Sequence, residues 1–366
     1  RAEKDEALAT IQEAEAQQRH LDLQLINVHQ REKDLAQTLA WETQRHEQEI
    51  GGLNKRLQDL QEALLAAVKD KSAHDAKMAE TDHLVGQLLE VNETLVGKVM
   101  KPHRQKFTLA SKCGMQGVPQ ADGKPARVID GRPETIRQTC EDALRRLQTD
   151  VIDLYYLHRW DKKIPIEDSV GALSDLVRQG KIQSIGLSEV SAATLRKAHA
   201  VHPIAAVQTE YSLWTRNPEI AVLEACKAIG AAFVAFSPVG RGFLCGEPID
   251  VSTLDAKDIR RAMPRFAPEV NAANQQLLAP YSALAQQAGC SPAQLALAWL
   301  LHKAPHIIPI PGTTSVTHLT DDLGATGVSL SPDTMAAVEA LINQHTVSGD
   351  RYNAQANSEV DTEVFA

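Results

Sequence analysis

Hydrophobic and polar positions follow two different patterns along this chain, one in residues 1–91 and one from residue 92 onward. In residues 1–91, apolar side chains recur at heptad spacing: Ile11, Leu21, Leu25, Val28, Leu35 and Leu39, and after a shift of four residues Ile50, Leu53, Leu57, Leu60 and Leu64. The spacing predicts a long helix whose apolar stripe needs a partner helix. We therefore expect a coiled coil that self-associates through residues 1–91. Polar residues at several core positions leave a solvated, partly frayed helix as the alternative.

From residue 92 onward, short apolar runs alternate with segments of helical periodicity. This alternation is typical of a series of parallel strands joined by helices. The pattern predicts six strands, at residues 107–112, 151–158, 184–189, 205–213, 231–239 and 306–312. It predicts helices at residues 92–100, 133–147, 166–179, 192–201, 219–229 and 280–303.

The run at residues 151–157, V-I-D-L-Y-Y-L, is the most strongly apolar of these strands and ends at His158. A strand of this composition is typically covered on both faces, as in a parallel sheet. In an α/β barrel, functional side chains lie at the carboxyl ends of the strands. The six predicted ends carry Lys112, His158, Ser188 with Glu189, Gln208, Phe236 with Ser237, and Gly312 with Thr313. Each is an ordinary way to end a strand, but together they predict one functional face.

Composition and charge exclude several classes of function. The 366 residues carry a net charge of −9, and the excess of acidic residues lies mainly in residues 1–91. This distribution does not indicate a nucleic-acid partner, and no apolar run is long enough to span a membrane. The five cysteines show no paired spacing, which indicates free thiols in a reducing compartment and predicts a cytoplasmic protein. The histidines do not form a zinc pattern, so we predict no metal site.

Seven motifs after residue 91 resemble those of the aldo-keto reductases, and specifically the bacterial and plant branch that acts on small aldehydes. In order they are N-E-T-L-V-G-K-V-M (92–100), F-T-L-A-S-K (107–112), V-I-D-L-Y-Y-L-H-R-W-D (151–161), G-K-I-Q-S-I-G-L-S-E-V-S (180–191), V-Q-T-E-Y-S-L-W (207–214), F-S-P-V-G-R-G-F-L (236–244) and I-P-I-P-G-T-T (308–314). The resemblance implies a TIM barrel that binds NADPH and passes a hydride to a small carbonyl substrate.

The catalytic group of this family is a tetrad of Asp, Tyr, Lys and His. By position in the motifs, Lys112 corresponds to the lysine and His158 to the histidine. The charge of the lysine lowers the pKa of the tyrosine, so that the phenol can protonate the developing alkoxide. The histidine orients the substrate carbonyl, and the aspartate neutralises the lysine.

The resemblance also implies which residues hold the cofactor. Ser188 and Gln208 should bond the carboxamide of the nicotinamide, and Phe236 should stack on its ring. Ser237, Val239 and Arg241 would line the pyrophosphate. The adenosine end would be held by Gly312, Thr313, Thr314, His318, Asp321 and Asp322. NADP is the family expectation, but two Asp residues and no Lys or Arg between Gly312 and Asp322 make a preference for NAD plausible.

The first part of the family pattern is missing. The catalytic tyrosine should lie five residues before Asn92, where this chain has Gln87, and residues 1–106 contain no Tyr. We expect an eight-stranded α/β barrel that lacks its first two strands, with open edges at residues 107–112 and 307–312. The predicted domains are a coiled coil at 1–91, a partial barrel at 92–343 and a loose tail at 344–366.

Two functional hypotheses follow from this organisation. The first is an NADP-dependent aldo-keto reductase whose catalysis is impaired, because the catalytic Tyr and Asp are missing and a lost general acid costs about 10²–10⁴-fold in rate. The alternative is a coiled-coil assembly or scaffold protein that carries an inactive reductase remnant. The sequence does not name the carbonyl substrate.

Overall fold

The computed structural model describes residues 92–119, 125–256 and 258–365, together with Lys33 and Gln37. Contacts divide the chain into two compact units, residues 1–76 and 77–366, and every element named below belongs to the second unit. The coiled coil predicted for residues 1–91 lies outside the described residues, apart from Lys33 and Gln37, which are helical and exposed.

Eight strands are present in the described part of the chain. They are β1 (Ala110–Cys113), β2 (Met115–Pro119), β3 (Pro125–Ile129), β4 (Ile152–Leu157), β5 (Ile182–Ser188), β6 (Ile204–Glu210), β7 (Ala232–Phe236) and β8 (Ile307–Ile310). Six of them coincide with the six predicted strands. The pair β2–β3 was not predicted, and it forms an antiparallel hairpin directly after β1.

Eleven helices lie in the described part of the chain, and those between β3 and β8 connect successive strands of the parallel sheet. The helices are α1 (residues 92–100), α2 (Pro133–Leu147), α3 (Ile166–Arg178), α4 (Ala192–Val201), α5 (Val222–Ile229), α6 (Pro268–Gln275), α7 (Leu278–Gln287), α8 (Pro292–Lys303), α9 (Val316–Gly324), α10 (Pro332–Leu341) and α11 (Ala354–Ser358). Short 3₁₀ turns lie at Lys101–Lys106, Asn217–Glu219, Gly240–Cys245, Val251–Thr253, Ile259–Ala262, Pro264–Phe266 and Ala325–Gly327.

The six strands other than β2 and β3 form one parallel sheet in the order β1-β4-β5-β6-β7-β8. In the part of the chain that the structure describes, this is the order of an α/β barrel without two neighbouring strands. Within the described residues, β1 and β8 are the edges of the sheet. The prediction of an α/β fold with six strands is therefore confirmed, and the strand ends lie side by side as expected.

The two faces of the sheet differ in burial. The outer face packs against the helices, where its Tyr155 and Phe233 and Trp299 of α8 are among the largest buried side chains. The inner face carries a small cluster of Tyr156, Ala206 and Val234. Its apolar residues become exposed toward β8, where Ile308 is 49% exposed. The interior of the barrel is thus incompletely covered by the described residues.

Helix α1 is fastened to α2 by close backbone contact. A Cβ atom at Gly97 would lie 2.7 Å from the carbonyl oxygens of Arg146 and Leu147, so only glycine allows this approach. Glu93 adds an ion pair with Arg146, 2.6 Å between Oε2 and Nε. Together these contacts place α1 beside the edge strand β1, where Glu93 also accepts a hydrogen bond from Ser111.

Residues 280–303, predicted as one helix, form two. Helix α7 ends before Gly289, which has a φ of 71°, and α8 begins after Ser291. Ser291 caps α8, and the side chain of Gln294 accepts a hydrogen bond from the Ser291 backbone N–H. This capping box and Pro292 at the first helical position separate the two helices.

The tail at residues 344–366, expected to be loose, is docked on the barrel over much of its length. Arg351 is buried against Glu189, and Asp361 accepts hydrogen bonds from Ser191 and Thr194 at the start of α4. The expectation was wrong because these polar residues bury their charges against partners that are distant in the sequence. No helix in the described ranges is both long and apolar enough to cross a membrane.

Candidate active site

Lys112, His158, Ser188 and Gln208 are brought together at the carboxyl ends of four neighbouring strands. In the β-ladders, Lys112 is the partner of Tyr156, and Ser188 is the partner of Gln208. The backbone N–H of His158 donates to the carbonyl of Cys113, 2.9 Å away, next to Lys112. These four residues, predicted from separate strands, therefore lie in one continuous row.

Lys112 carries its ammonium group in a partly buried position. Its Nζ lies 6.0 Å from the centroid of the Tyr156 ring. Burial, with a smaller contribution from the positive charge of Arg159, lowers the pKa of Lys112 to about 8. No carboxylate among the described residues forms an ion pair with Lys112.

Ser188 and Gln208 are buried polar side chains with hydrogen-bond partners on the neighbouring strand or loop. Arg159 donates to the Ser188 hydroxyl over 3.3 Å, and it also donates to the carbonyl of His158 over 2.9 Å. Gln208 is hydrogen-bonded to Tyr156. Two fixed polar groups at adjacent strand ends are suited to hold a planar amide such as the carboxamide of nicotinamide.

Phe236 ends β7, and its half-exposed position leaves its ring available for stacking. The loop that follows is conformationally unusual, because Ser237 and Arg241 have φ angles of 48° and 57°. Gly240 and Gly242 also have positive φ. Non-glycine residues in the left-handed region are uncommon and cluster at ligand-binding turns. Val239, between them, is half-buried.

The guanidinium of Arg241 is turned toward protein partners. It forms an ion pair with Glu210 at 2.9 Å and a hydrogen bond with the Tyr352 hydroxyl at 3.4 Å. Its Nε is buried and has no hydrogen-bond partner among the described residues. Both interactions are made by Nη2, so a contact of Arg241 with a pyrophosphate would use its backbone, Nε or Nη1.

Residues 312–322 form an exposed turn and the first part of α9. Ser315 caps the helix at the N–H of His318, and Thr313 accepts a hydrogen bond from the N–H of Ser315 at 3.0 Å. Gly312 and Thr314, which the resemblance places at the adenosine, are exposed in this turn. The N-terminus of a helix is favourable for a phosphate group.

The acidic residues of this helix are less suited to a phosphate. Asp321 accepts a hydrogen bond from Ser291 at 2.7 Å, which links α9 to α8. The pKa of Asp322 is raised, because the carboxyl is partly buried and Asp321 is close. Since two carboxyl groups share this end of the site, a 2′-phosphate would meet negative charge there.

A network of buried ion pairs, not predicted from the sequence, joins the ends of β5 and β6 to Arg241 and Arg351. Arg351 of the tail pairs with Glu189, and Glu189 also accepts a hydrogen bond from the backbone N–H of Glu210 at 2.9 Å. Nearby positive charges, led by that of Arg241, lower the pKa of Glu210 despite its burial. The network holds Glu189, which directly follows Ser188, and Glu210, which lies two residues after Gln208.

A cleft of about 170 Å³ opens beside Lys112, between β1 and α1. It lies at the edge of the sheet, where the next strand of a complete barrel would pair with β1. Its walls combine the ammonium of Lys112 with mainly apolar surface, and its lining residues are Asn92, Glu93, Val96, Ala110, Ser111, Lys112, Leu147, Tyr156 and Gln208.

Comparison with known proteins identifies the family of this arrangement. Residues 89–343 match the aldo/keto reductase family. The chain belongs to this family. It is 42% identical over 262 residues to "Probable aldo-keto reductase 1" of Glycine max, a match that covers 71% of this chain and 74% of the relative. It is thus an oxidoreductase by family.

Solved structures of aldo/keto reductases share the fold. The glycerol dehydrogenase AKR11B4 from Gluconobacter oxydans matches with a TM-score of 0.64 and 28% identity, over 70% of this chain and 79% of that protein. A thermostable aldo-keto reductase, Tm1743, in complex with the inhibitor epalrestat, matches with a TM-score of 0.52 and 27% identity, over 71% of this chain and 88% of the other.

None of the tyrosines in this aldo/keto reductase has a pKa below the ordinary value. The chain has five tyrosines, all among the described residues. Burial raises the pKa of every one, to about 12 for Tyr156 and Tyr352 and further for the others. Tyr156 lies closest to the expected position because it faces Lys112. However, its hydroxyl is less acidic than in water, the opposite of what the tetrad requires.

Proposed function

We propose that this chain is an aldo-keto reductase that binds a nicotinamide dinucleotide along the carboxyl ends of β5 to β8 and reduces a small aldehyde or ketone slowly. The observation that carries the proposal is the row of Lys112, His158, Ser188 and Gln208 at neighbouring strand ends. This row, in a chain of the family, is suited to place a carbonyl group next to a nicotinamide.

The described residues fit such a cofactor. Ser188 and Gln208 would hold the carboxamide, and the half-exposed ring of Phe236 would stack on the nicotinamide. The turn at Ser237–Gly242, with its left-handed backbone, and the buried Nε of Arg241 would receive the pyrophosphate. The start of α9 would receive the adenosine end. The cofactor, when bound in its reduced form, supplies the hydride.

Lys112 and His158 carry what remains of the catalytic chemistry. His158 would orient the carbonyl oxygen, and the positive charge of Lys112 would stabilise negative charge that develops there. The developing alkoxide also needs a proton, and the tyrosine that supplies it in the family has no equivalent here. We therefore expect the rate of reduction to be about 10²–10⁴-fold below that of a family member with a complete tetrad.

The choice of cofactor follows from the adenosine end of the site. NADPH is the family expectation, and we propose it as the first cofactor to test. The paired carboxyl groups of Asp321 and Asp322, without a Lys or Arg in residues 312–322, weaken the attraction for a 2′-phosphate. We therefore expect the affinity for NADH to be comparable to that for NADPH.

Titration with NADPH, with nicotinamide fluorescence as the readout, tests the cofactor site. Ser188→Ala and Gln208→Ala each remove one hydrogen bond to the carboxamide and should raise Kd about 5- to 10-fold. Thr209→Val is the matched control, because Thr209 is the next residue of β6, lies on the opposite face and has a buried hydroxyl without a hydrogen-bond partner in the described structure. Equal effects of all three substitutions would contradict the assignment.

The alternative function concerns a different part of the chain. Self-association through residues 1–91 and a scaffold role remain predictions, because these residues lie outside the described structure except for Lys33 and Gln37. Sedimentation of the full chain and of residues 92–366 tests them. If the coiled coil forms, we expect oligomers of the full chain and none of residues 92–366. The same oligomeric state for both would contradict the prediction.

A further inference from the structure

Lys112 differs from an ordinary lysine in its electrostatic surroundings. The carboxylate that lines the same cleft, Glu93, is committed to Arg146 at 2.6 Å and to the hydroxyl of Ser111. The charge that acts on Lys112 from the end of β4 is the guanidinium of Arg159. From the strand beside it, Lys112 meets the ring face of Tyr156 and not a carboxylate.

These surroundings favour the neutral amine. A lysine that is desolvated and placed near a second positive charge loses its proton more easily, and this is one of the ways in which nucleophilic lysines are activated. With a pKa of about 8 in place of 10.5, about a quarter of Lys112 is the free amine at pH 7.5, against about one part in a thousand for an ordinary lysine.

The cleft offers room for a reactant beside the amine. Its volume of about 170 Å³ is more than ten times the roughly 10–15 Å³ that one water molecule requires. Val96, Ala110, Leu147 and the ring of Tyr156 supply apolar walls. A short aliphatic aldehyde matches this combination of a small volume, apolar walls and one amine.

We propose that Lys112 is a nucleophilic lysine that captures small aldehydes as an imine in the cleft between β1 and α1. The nitrogen lone pair of Lys112 forms a C–N bond with the carbonyl carbon as the C=O π bond breaks, and a proton passes from the nitrogen to the oxygen to give a carbinolamine. The C–O bond then breaks, the oxygen leaves as water with the second proton of the nitrogen, and the imine forms. No oxidant, reductant or nucleotide takes part, so the activity goes beyond the proposed reductase function and does not depend on it.

Reductive trapping tests the proposal in the full-length protein. The protein is incubated with propanal and sodium cyanoborohydride at pH 7.5 without nucleotide, and propylated lysines are located and quantified by peptide mass spectrometry. We expect Lys112 to be modified at least about tenfold faster than the exposed Lys197, because its free-amine fraction is about 240-fold larger than that of an ordinary lysine. Lys112→Arg should abolish the adduct in this peptide and leave the adduct at Lys197 unchanged.

The pH dependence of the trapping rate and a second variant show whether Lys112 reacts because its amine is activated or only because it is accessible. The rate at Lys112 should level off above about pH 9, whereas the rate for an ordinary lysine continues to rise with pH. Arg159→Gln removes the like charge and should slow trapping at Lys112 at pH 7.5 by raising its pKa toward the ordinary value. Equal rates at Lys112 and Lys197, or parallel pH profiles, would overturn the proposal.

The outcome is independent of the proposed reductase function. Trapping at Lys112 without saturable NADPH binding would contradict only the cofactor assignment. NADPH binding without selective trapping at Lys112 would contradict only the nucleophilic role.

Discussion

The ion pair between Glu189 and Arg351 connects the tail to the strand end that carries Ser188. Both side chains are buried, with 0% and 9% of their surface exposed, and the guanidinium also lies 4.4 Å from the centroid of the Tyr352 ring. Replacing Arg351 by Met leaves the Glu189 carboxylate buried without its counter-ion. Breaking a buried pair on one side costs about 3–5 kcal/mol. We expect Arg351→Met to lower the free energy of unfolding by that amount.

Urea denaturation followed by tryptophan fluorescence measures this loss. The double variant Glu189→Gln/Arg351→Met removes both charges, and the glutamine oxygen can still accept the hydrogen bond from the N–H of Glu210. We therefore expect the double variant to be more stable than the single one by at least about 1 kcal/mol.

An exposed ion pair provides the matched control. Arg178 pairs with Asp175 on the surface of α3, and its side chain is 75% exposed. Arg178→Met should change the free energy of unfolding by less than about 1 kcal/mol. The reasoning is refuted if Arg351→Met costs no more than Arg178→Met, or if the double variant is as unstable as the single variant.

Two further predictions concern packing and pH. Gly186→Ala places a Cβ atom 2.3 Å from the ring of Tyr156, so it should cost at least about 1–3 kcal/mol in urea denaturation. Gly171→Ala in α3, where nothing lies within 4 Å, should instead stabilise by about 0.5–1 kcal/mol, and the opposite order would contradict the packing of the inner face. Hydrogen bonds from Arg132 hold the pKa of Asp130 at about 2, and nearby arginines lower that of Glu210. A carboxylate with a depressed pKa stabilises the fold above its unfolded pKa, near 4, and this stability is lost as the pH falls through the folded pKa. The melting temperature should therefore be flat from pH 7 to 5 and fall between pH 4 and 2, and a constant value over that range would disprove the linkage.

The sheet was predictable because its signals are local. The run at residues 151–157 is apolar enough to indicate a strand covered on both faces, and each of the other five strands has a similar run with a polar end. Since the carboxyl ends of parallel strands meet at one edge, the grouping of Lys112, His158, Ser188 and Gln208 followed from topology alone.

The supporting network was not predictable in the same way. Arg351 and Glu189 are 162 residues apart, and a lone Arg in a polar tail carries no spacing that would indicate its partner. The tail has little helical or strand periodicity because it is held by ion pairs and by hydrogen bonds that side chains such as Asp361 accept, and not by an apolar face. In contrast, the break between α7 and α8 had a local signal, Ser291-Pro292 with Gln294, and that signal was missed.

The environment of Lys112 also lay beyond the sequence. Sequence and family resemblance indicated that the lysine lacks its acidic partner. They did not indicate that the carboxylate of Glu93, in the same cleft, is committed to Arg146, nor that Arg159 adds a like charge. Both effects depend on side chains from separate elements, α1, α2 and the loop after β4, and they become visible only in three dimensions.

We propose that the site retains its cofactor-binding and carbonyl-orienting residues but has lost its proton donor. Stopped-flow fluorescence with NADPH and propanal, run beside the 42% identical relative from Glycine max, tests both halves in one measurement. The account predicts saturable NADPH binding followed by NADPH oxidation about 10²–10⁴-fold slower than in the relative. Absence of NADPH binding at millimolar concentration, or oxidation as fast as in the relative, would contradict it.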